Sequence, residues 1–249
     1  MEVSEKLKER FCKDCNIPLK LFKEPYFTDR LQLYDSYYNT LDKWNIFVRE
    51  LEKYRCEQDY LEEYNRVKDT AINDIKLSDG YNRFNEEDMG KYSVKYKDLP
   101  SKDIYKPSNV GELFISIDMR KANFSALKFY DKSIFSNADT WEEFVGRYTE
   151  NKHIVNSKYI RQVILGNCNP KRQVTYEKYL MGFVLEVLID ELGYSASDIA
   201  FFSNDEIVIN MGKYEDCINK QKILEKKVLN YSKPLIANSV SWWINNVSD

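Results

Sequence analysis

Two short apolar runs, Ile199–Phe202 and Ile207–Ile209, flank four polar residues in the stretch IAFFSNDEIVIN. Runs this short, rich in Ile, Val and Phe and bounded by turn formers, fold as strands. Ser203, Asn204 and Asp205 each favour a turn, because their side chains bond to nearby backbone. The segment therefore reads as a buried hairpin whose tip carries two adjacent carboxylates, Asp205 and Glu206. A surface turn needs polar residues, and that need alone accounts for the tip. The carboxylates acquire a chemical meaning only if another element brings them a partner.

The sequence offers one. In ELFISID (112–118), Leu113, Ile115 and Ile117 alternate with Phe114, Ser116 and Asp118, so a strand ends on an aspartate. Two-metal phosphoryl transfer uses carboxylates from separate elements to hold divalent ions about 3.5–4 Å apart. Asp118 and Asp205 are candidates for that role. Between them the chain turns basic. From Lys152 to Lys178 there are six Lys or Arg residues (152, 158, 161, 171, 172 and 178) against the single acid Glu177. Such a stretch can face phosphates, and it can equally be an ordinary solvated helix face.

The remaining elements are helical. Apolar residues from Leu31 to Tyr54 and from Tyr60 to Ile75 keep helical spacing, which predicts two long antiparallel helices. Residues 42–88 carry thirteen acids and eight bases, so this arm is net acidic. The Gly- and Pro-bearing residues 78–111 read as an irregular linker. KANFSALKFY predicts a helix. In DTWEEF, Asp139 and Glu142 form a capping box for a helix reaching Tyr148. NSKYIRQVIL starts another helix at Asn156 or Ser157. The clearest helix follows, with Asn169 as cap, Pro170 in the first position and Gly193 as stop. Its expected buried stripe is Val174, Leu180, Phe183, Val184, Val187 and Leu188. A helix over 218–229 and a closing strand in KPLIANSVSWWINN complete the chain, with Trp242 and Trp243 expected in the core.

The 249 residues suffice for one large domain or a domain with an appendage. A net charge of -3 is not the global basicity of many nucleic-acid binders, so any such surface must be local. Cysteines stand at 12, 15, 56, 168 and 217, and the only histidine is His153. Only Cys12 and Cys15 are closely spaced, which is half of a zinc site at most, and reduced thiols are expected. Cys168 has no evident base beside it, and His153 reads as a surface residue of a polar loop. No run approaches the roughly 20 apolar residues of a membrane span, and the first fifteen residues lack a signal-peptide core. The expectation is a soluble intracellular protein, cytoplasmic or in a viral replication compartment, with no membrane partner.

From about Asp98 onward the ordered motifs resemble the A-family DNA polymerases, the bacterial polymerase I and phage type. ELFISIDMRKANFSALKFY resembles the first palm motif, ADTWEEFVGRYT with NSKYIRQVILGN the fingers segment, NPKRQVTYEKYLM the Asn-x-x-x-Gln helix, and NDEIVIN the His-Asp-Glu motif. The chain's closing "SWWINN" is similar to the family's ending. The resemblance implies an α+β fold: an antiparallel palm-type sheet, fingers-like helices, and an N-terminal helical hairpin serving as a reduced thumb. Residues 1–95 would be that arm and 96–249 the palm and fingers. It implies that Asp118, Asp205 and the Met119 carbonyl hold two Mg²⁺ or Mn²⁺ ions, with Glu206 as the neighbouring carboxylate. Arg161 and Lys158 would hold the triphosphate of a dNTP. Asn123 stands at the steric gate and Leu165 at the base-stacking position. Asn169, Lys171, Arg172 and Gln173 would meet primer–template nucleic acid.

The sequence departs from the family in ways that bear on activity. Asn204 replaces the motif histidine, Asn123 the gate glutamate, Arg161 a lysine and Leu165 an aromatic ring. Three expectations follow. The first is a template-directed DNA polymerase or related nucleotidyltransferase. The second is a lapsed palm that binds nucleic acid or scaffolds a viral or phage replication complex. The third is an unrelated α/β protein with an ordinary turn at 203–206, in which Asp118 and Asp205 lie far apart.

Overall fold

The strand over Leu113–Asp118 (β1) forms where the sequence alternates. Five of its six residues are buried and only Asp118, at its end, is exposed. Phe114 and Ser116 are buried along with Leu113, Ile115 and Ile117, so both faces of β1 are covered. A central strand of a layered domain has this property. The computed structural model describes residues 3–101, 109 and 112–212, with the backbone alone of 240–244. The expected helix over 218–229 and the side chains of Trp242 and Trp243 lie outside the described residues.

The hairpin forms as expected from β2 (Ile199–Phe202) and β3 (Glu206–Gly212). β3 pairs antiparallel with β1, and β1 pairs antiparallel with β4 (Val240–Ile244). The four-stranded order is β2-β3-β1-β4. The fold is therefore α+β with a small antiparallel sheet.

The chain divides into two compact units, Met1–Asn82 with Lys132–Asn169, and Arg83–Asp131 with Pro170–Asp249. Residues 132–169, expected to belong with the palm, thus fall with the N-terminal helices.

In the first unit, α1 (Glu5–Cys15) was not anticipated. Ser4 caps it and Asn16, in left-handed conformation, ends it. The long helix expected up to Tyr54 is two helices, α2 (Tyr26–Tyr38) and α3 (Thr40–Leu51). The break falls at Asn39, with φ 51. Asparagine adopts the left-handed region more readily than most residues, which a spacing pattern does not reveal. Asp35 Oδ1 then accepts from the amide of Leu41 at 2.8 Å, fixing the corner. The second expected helix is α4 (Glu57–Leu77), with Tyr60, Tyr64, Val67, Ala71 and Ile75 buried. The short α5 (Asp79–Glu86) occupies part of the segment read as irregular.

The cap lies one residue later than expected, at Thr140. Thr140 accepts from the Glu143 amide at 3.0 Å, and Glu143 Oε2 accepts from the Asp139 amide at 2.7 Å. The helix it starts, α7 (Trp141–Val145), stops well before Tyr148. Two helices follow α7. Asn151 caps α8 (Lys152–Asn156) and Ser157 caps α9 (Lys158–Gly166).

In the second unit, α6 (Ala122–Tyr130) packs against α10 (Pro170–Glu186). The expected helix runs on past Glu186 only as a wider π-turn over Val187–Glu191, and Gly193 at φ 76 ends it. Val174 and Phe183, expected inside, are 47% and 46% exposed. The buried face instead runs through Gln173, Tyr176, Glu177, Leu180, Val184 and Leu188. Tyr176 anchors it, with ring centroids 4.9 Å from Tyr92 and 5.6 Å from Tyr130. Among the described residues, no helix is long and apolar enough to cross a membrane.

Candidate active site

The hairpin turn is held by its own side chains. Ser203 Oγ accepts from the amides of Asp205 (3.3 Å) and Glu206 (3.1 Å) and donates to Asp205 Oδ1 at 3.1 Å. The Ser203 amide donates to the Glu206 carbonyl at 2.9 Å, closing the turn. This is the local bonding for which serine and aspartate are favoured in turns.

The register of the sheet carries that turn to the end of β1. Asp118 stands opposite Glu206 across the β1–β3 pair. One residue on, the Met119 amide donates to the Asp205 carbonyl at 2.8 Å. Ser116 Oγ donates to Glu206 Oε1 at 2.5 Å. Asp118, Met119, Asp205 and Glu206 are therefore brought together, 87 positions separating the two aspartates in the chain.

A further carboxyl lies against the turn, and it was missed at the sequence level. Glu177 of α10 is 4% exposed, and its Oε2 accepts from Asn204 Nδ2 at 2.5 Å. Burial pushes the Glu177 carboxyl up to about 7. The Asn204 hydrogen bond pulls the other way, and the charge of Asp205 adds to the rise. Its signal in the sequence was position. Glu177 is four residues from Gln173 and three from Leu180, on the face that α10 buries.

The donors at the sheet end are all oxygens, from Asp118, Asp205 and the Met119 carbonyl. Hard oxygen donors suit Mg²⁺ or Mn²⁺ rather than zinc. Among the described residues, no group of three or more His, Cys, Asp or Glu side chains is arranged to hold a metal ion. Mg²⁺ commonly takes one or two carboxylates and completes its shell with water and substrate phosphate, so a two-aspartate set fits it.

The other candidate residues fare unequally. Lys158, Arg161 and Leu165 lie on α9 of the first unit. Leu165 is fully buried. Arg161 is half-buried, and its Nε has no hydrogen-bond partner among the described residues. Desolvation lowers its pKa against the opposing charge of Glu142. Asn169, which precedes α10, is in left-handed conformation with φ 57. Lys171 is exposed.

Two residues expected at nucleic acid are instead engaged or enclosed within their own unit. Arg172 donates from Nε (3.1 Å) and a terminal nitrogen (2.9 Å) to the Phe84 carbonyl, and also to the Glu87 carbonyl. Gln173 is 3% exposed. Asn123 Oδ1 accepts from the Phe124 amide at 3.0 Å.

His153, expected at the surface, is buried and paired with Asp14. Cys168 is buried too. Desolvation raises its thiol to about 11, which leaves little nucleophilic thiolate at neutral pH. Comparison with models of protein families, with curated proteins and with solved structures gives no match.

Proposed function

We propose that this chain is a metal-dependent nucleotidyltransferase, a template-directed DNA polymerase of reduced form, with its chemistry at the end of β1 and the β2–β3 turn. The observation that carries this is the adjacency of the two aspartate-bearing segments, through the Asp118–Glu206 register and the Met119–Asp205 hydrogen bond. An antiparallel sheet whose central strand ends on Asp118 beside a turn bearing Asp205 is the arrangement that the polymerase resemblance implies.

The carboxylates of Asp118 and Asp205, with the Met119 carbonyl, would hold two Mg²⁺ or Mn²⁺ ions. When bound, these supply charge neutralisation at the transferring phosphate and acidify the attacking hydroxyl. The protein's own part is to keep two carboxylates at one edge of a rigid sheet. Ser203 orients Asp205, and Ser116 restrains Glu206. In this proposal the exposed Lys171, at the start of α10, meets the primer–template.

A second reading has its own support. Leu165 is buried where the resemblance needs an aromatic ring, and the Arg172 donors are taken by backbone carbonyls. These features favour a lapsed palm that binds nucleic acid, or scaffolds other replication proteins, without copying.

Primer extension with Mg²⁺ or Mn²⁺ and labelled dNTPs separates the two, with wild type run beside Asp118→Ala and Asp205→Ala. Extension by wild type, lost in both variants, is the expected result. A folded wild type that binds primer–template without extending it would replace the enzyme with the lapsed palm.

A further inference from the structure

Asp205 is fixed from the sheet side by the Met119 amide and from within the turn by Ser203. The helix layer supplies one more restraint. Asn204, the residue immediately before Asp205, gives its side-chain amide to Glu177 Oε2 at 2.5 Å. Glu177 comes from α10, and its side chain is almost wholly enclosed.

That placement is costly. A carboxyl group loses its hydration on burial, and a neighbouring carboxylate opposes its ionisation. A leucine at position 177 would continue the apolar face formed by Leu180, Val184 and Leu188 at no such cost. Simple packing therefore does not account for an acid here. What the acid does is reach the one turn residue that precedes the aspartate, and hold it against the helix.

We infer that Glu177 is a positioning residue, which through Asn204 holds the 203–206 turn so that Asp205 is set to bind a divalent cation. This rests on the cation reading of the Asp118–Asp205 pair. It goes beyond that reading by assigning the geometry of one ligand to a residue that touches neither cation nor substrate. Partners of this kind tune the ligands they support, and their loss weakens metal affinity by about 10–100-fold. Asn204 supplies the donor and residue 177 the acceptor, so a glutamine at position 177 keeps the bond through its carbonyl oxygen.

The test uses the full-length chain and three substitutions: Glu177→Gln, Glu177→Leu and Asn204→Ala. Mn²⁺ binding is followed by its paramagnetic resonance signal, with Asp205→Ala as the control. Amide hydrogen exchange at residues 203–206 and thermal unfolding are measured without metal. Glu177→Leu is expected to weaken Mn²⁺ binding about tenfold. It should also speed exchange in the turn, with no loss of melting temperature.

Glu177→Gln should restore both readouts. Glu177→Leu and Asn204→Ala combined in one chain should bind no more weakly than either alone, because both remove the same bond. A merely structural role for Glu177 would lower the melting temperature in step with affinity. Wild-type Mn²⁺ affinity and unchanged exchange in Glu177→Leu would overturn the inference and leave the cation site standing. Absence of Mn²⁺ binding by wild type, or equal binding by Asp205→Ala, would overturn the cation site and this inference with it.

Discussion

The imidazole Nε2 of His153 lies 3.0 Å from Oδ2 of Asp14, 139 residues earlier in the chain. The other carboxylate oxygen, Oδ1, accepts from Tyr64 Oη at 2.9 Å and from Ser157 Oγ at 2.7 Å. The imidazole is flanked by Phe47 and Phe11, with centroids at 4.5 and 5.9 Å. One buried carboxyl thus ties α1, α4, α8 and the cap of α9 into a single unit.

Removing the shared acceptor strands three buried donors at once. Asp14→Ala should therefore cost roughly 3–5 kcal/mol of stability, since each buried donor left unmade costs about 1–3 kcal/mol. Asp14→Asn keeps an acceptor oxygen and should lose less. Urea unfolding of the two variants beside wild type checks the order. A loss below about 1 kcal/mol in Asp14→Ala would show that the three donors find other partners, against the usual cost of unmade buried bonds.

What the sequence could and could not reveal divides along one physical line. The hairpin, β1 and the Ser157 cap were legible because strand alternation and capping are local. The Asn39 break was not, because apolar spacing continues across it and only the backbone of one residue changes. His153 looked exposed because its partner sits on α1, which no pattern near residue 153 announces. That the end of β1 meets the 203–206 turn was legible from a strand end and a turn tip. Glu177 was not, because counting it as the one acid of a basic stretch hid its place on the buried face of α10. Burial of Val174 and Phe183 failed for the same reason, since the stripe was assigned by residue type without the direction the helix faces.

Glu177 makes stability depend on pH. Its folded pKa of about 7 lies above the ordinary glutamate value of 4.5. Below 4.5 the group is protonated in both states and contributes nothing. Between 4.5 and 7 the unfolded chain releases the proton while the folded chain keeps it, so stability falls as pH rises. Above 7 the penalty levels off, at about 3 kcal/mol. Glu177→Gln removes it. That variant should melt higher than wild type at pH 8 and alongside it at pH 4, measured without divalent cations. A gap that widens toward acid pH would contradict this sign.

Arg172 and Lys171 are neighbours in sequence and should behave differently. The Arg172 guanidinium holds the Phe84 and Glu87 carbonyls, so Arg172→Ala should destabilise the protein by about 1.5–3 kcal/mol, the range for hydrogen bonds to charged groups. Lys171 is exposed, and Lys171→Ala should change stability by less than about 0.5 kcal/mol. Nucleic-acid binding, where it occurs, should show the opposite order. Loss of Lys171 should shallow the salt dependence of binding by about one ion, because one phosphate contact is gone. Chemical denaturation and a salt titration of binding to a labelled primer–template measure the two sides. Equal salt slopes for wild type and Lys171→Ala would remove Lys171 from the interface.

Leu165 tests how far the polymerase resemblance reaches into the chemistry. The resemblance calls for an aromatic ring here to stack on a base, and the side chain is fully buried in α9. Leu165→Ala should cost about 2–5 kcal/mol, as the loss of a buried leucine does. Leu165→Tyr puts the missing ring back into a space filled by a smaller side chain, which should destabilise by about 1–3 kcal/mol through overpacking. Neither variant should tighten dNTP binding, because residue 165 serves the core and presents no surface to a base. Equilibrium dNTP binding, measured beside thermal unfolding, decides the matter. A Leu165→Tyr protein that unfolds like wild type and binds dNTP more tightly would mean that this face of α9 meets the nucleotide, and that leucine at position 165 is a loss of stacking rather than a gain of packing.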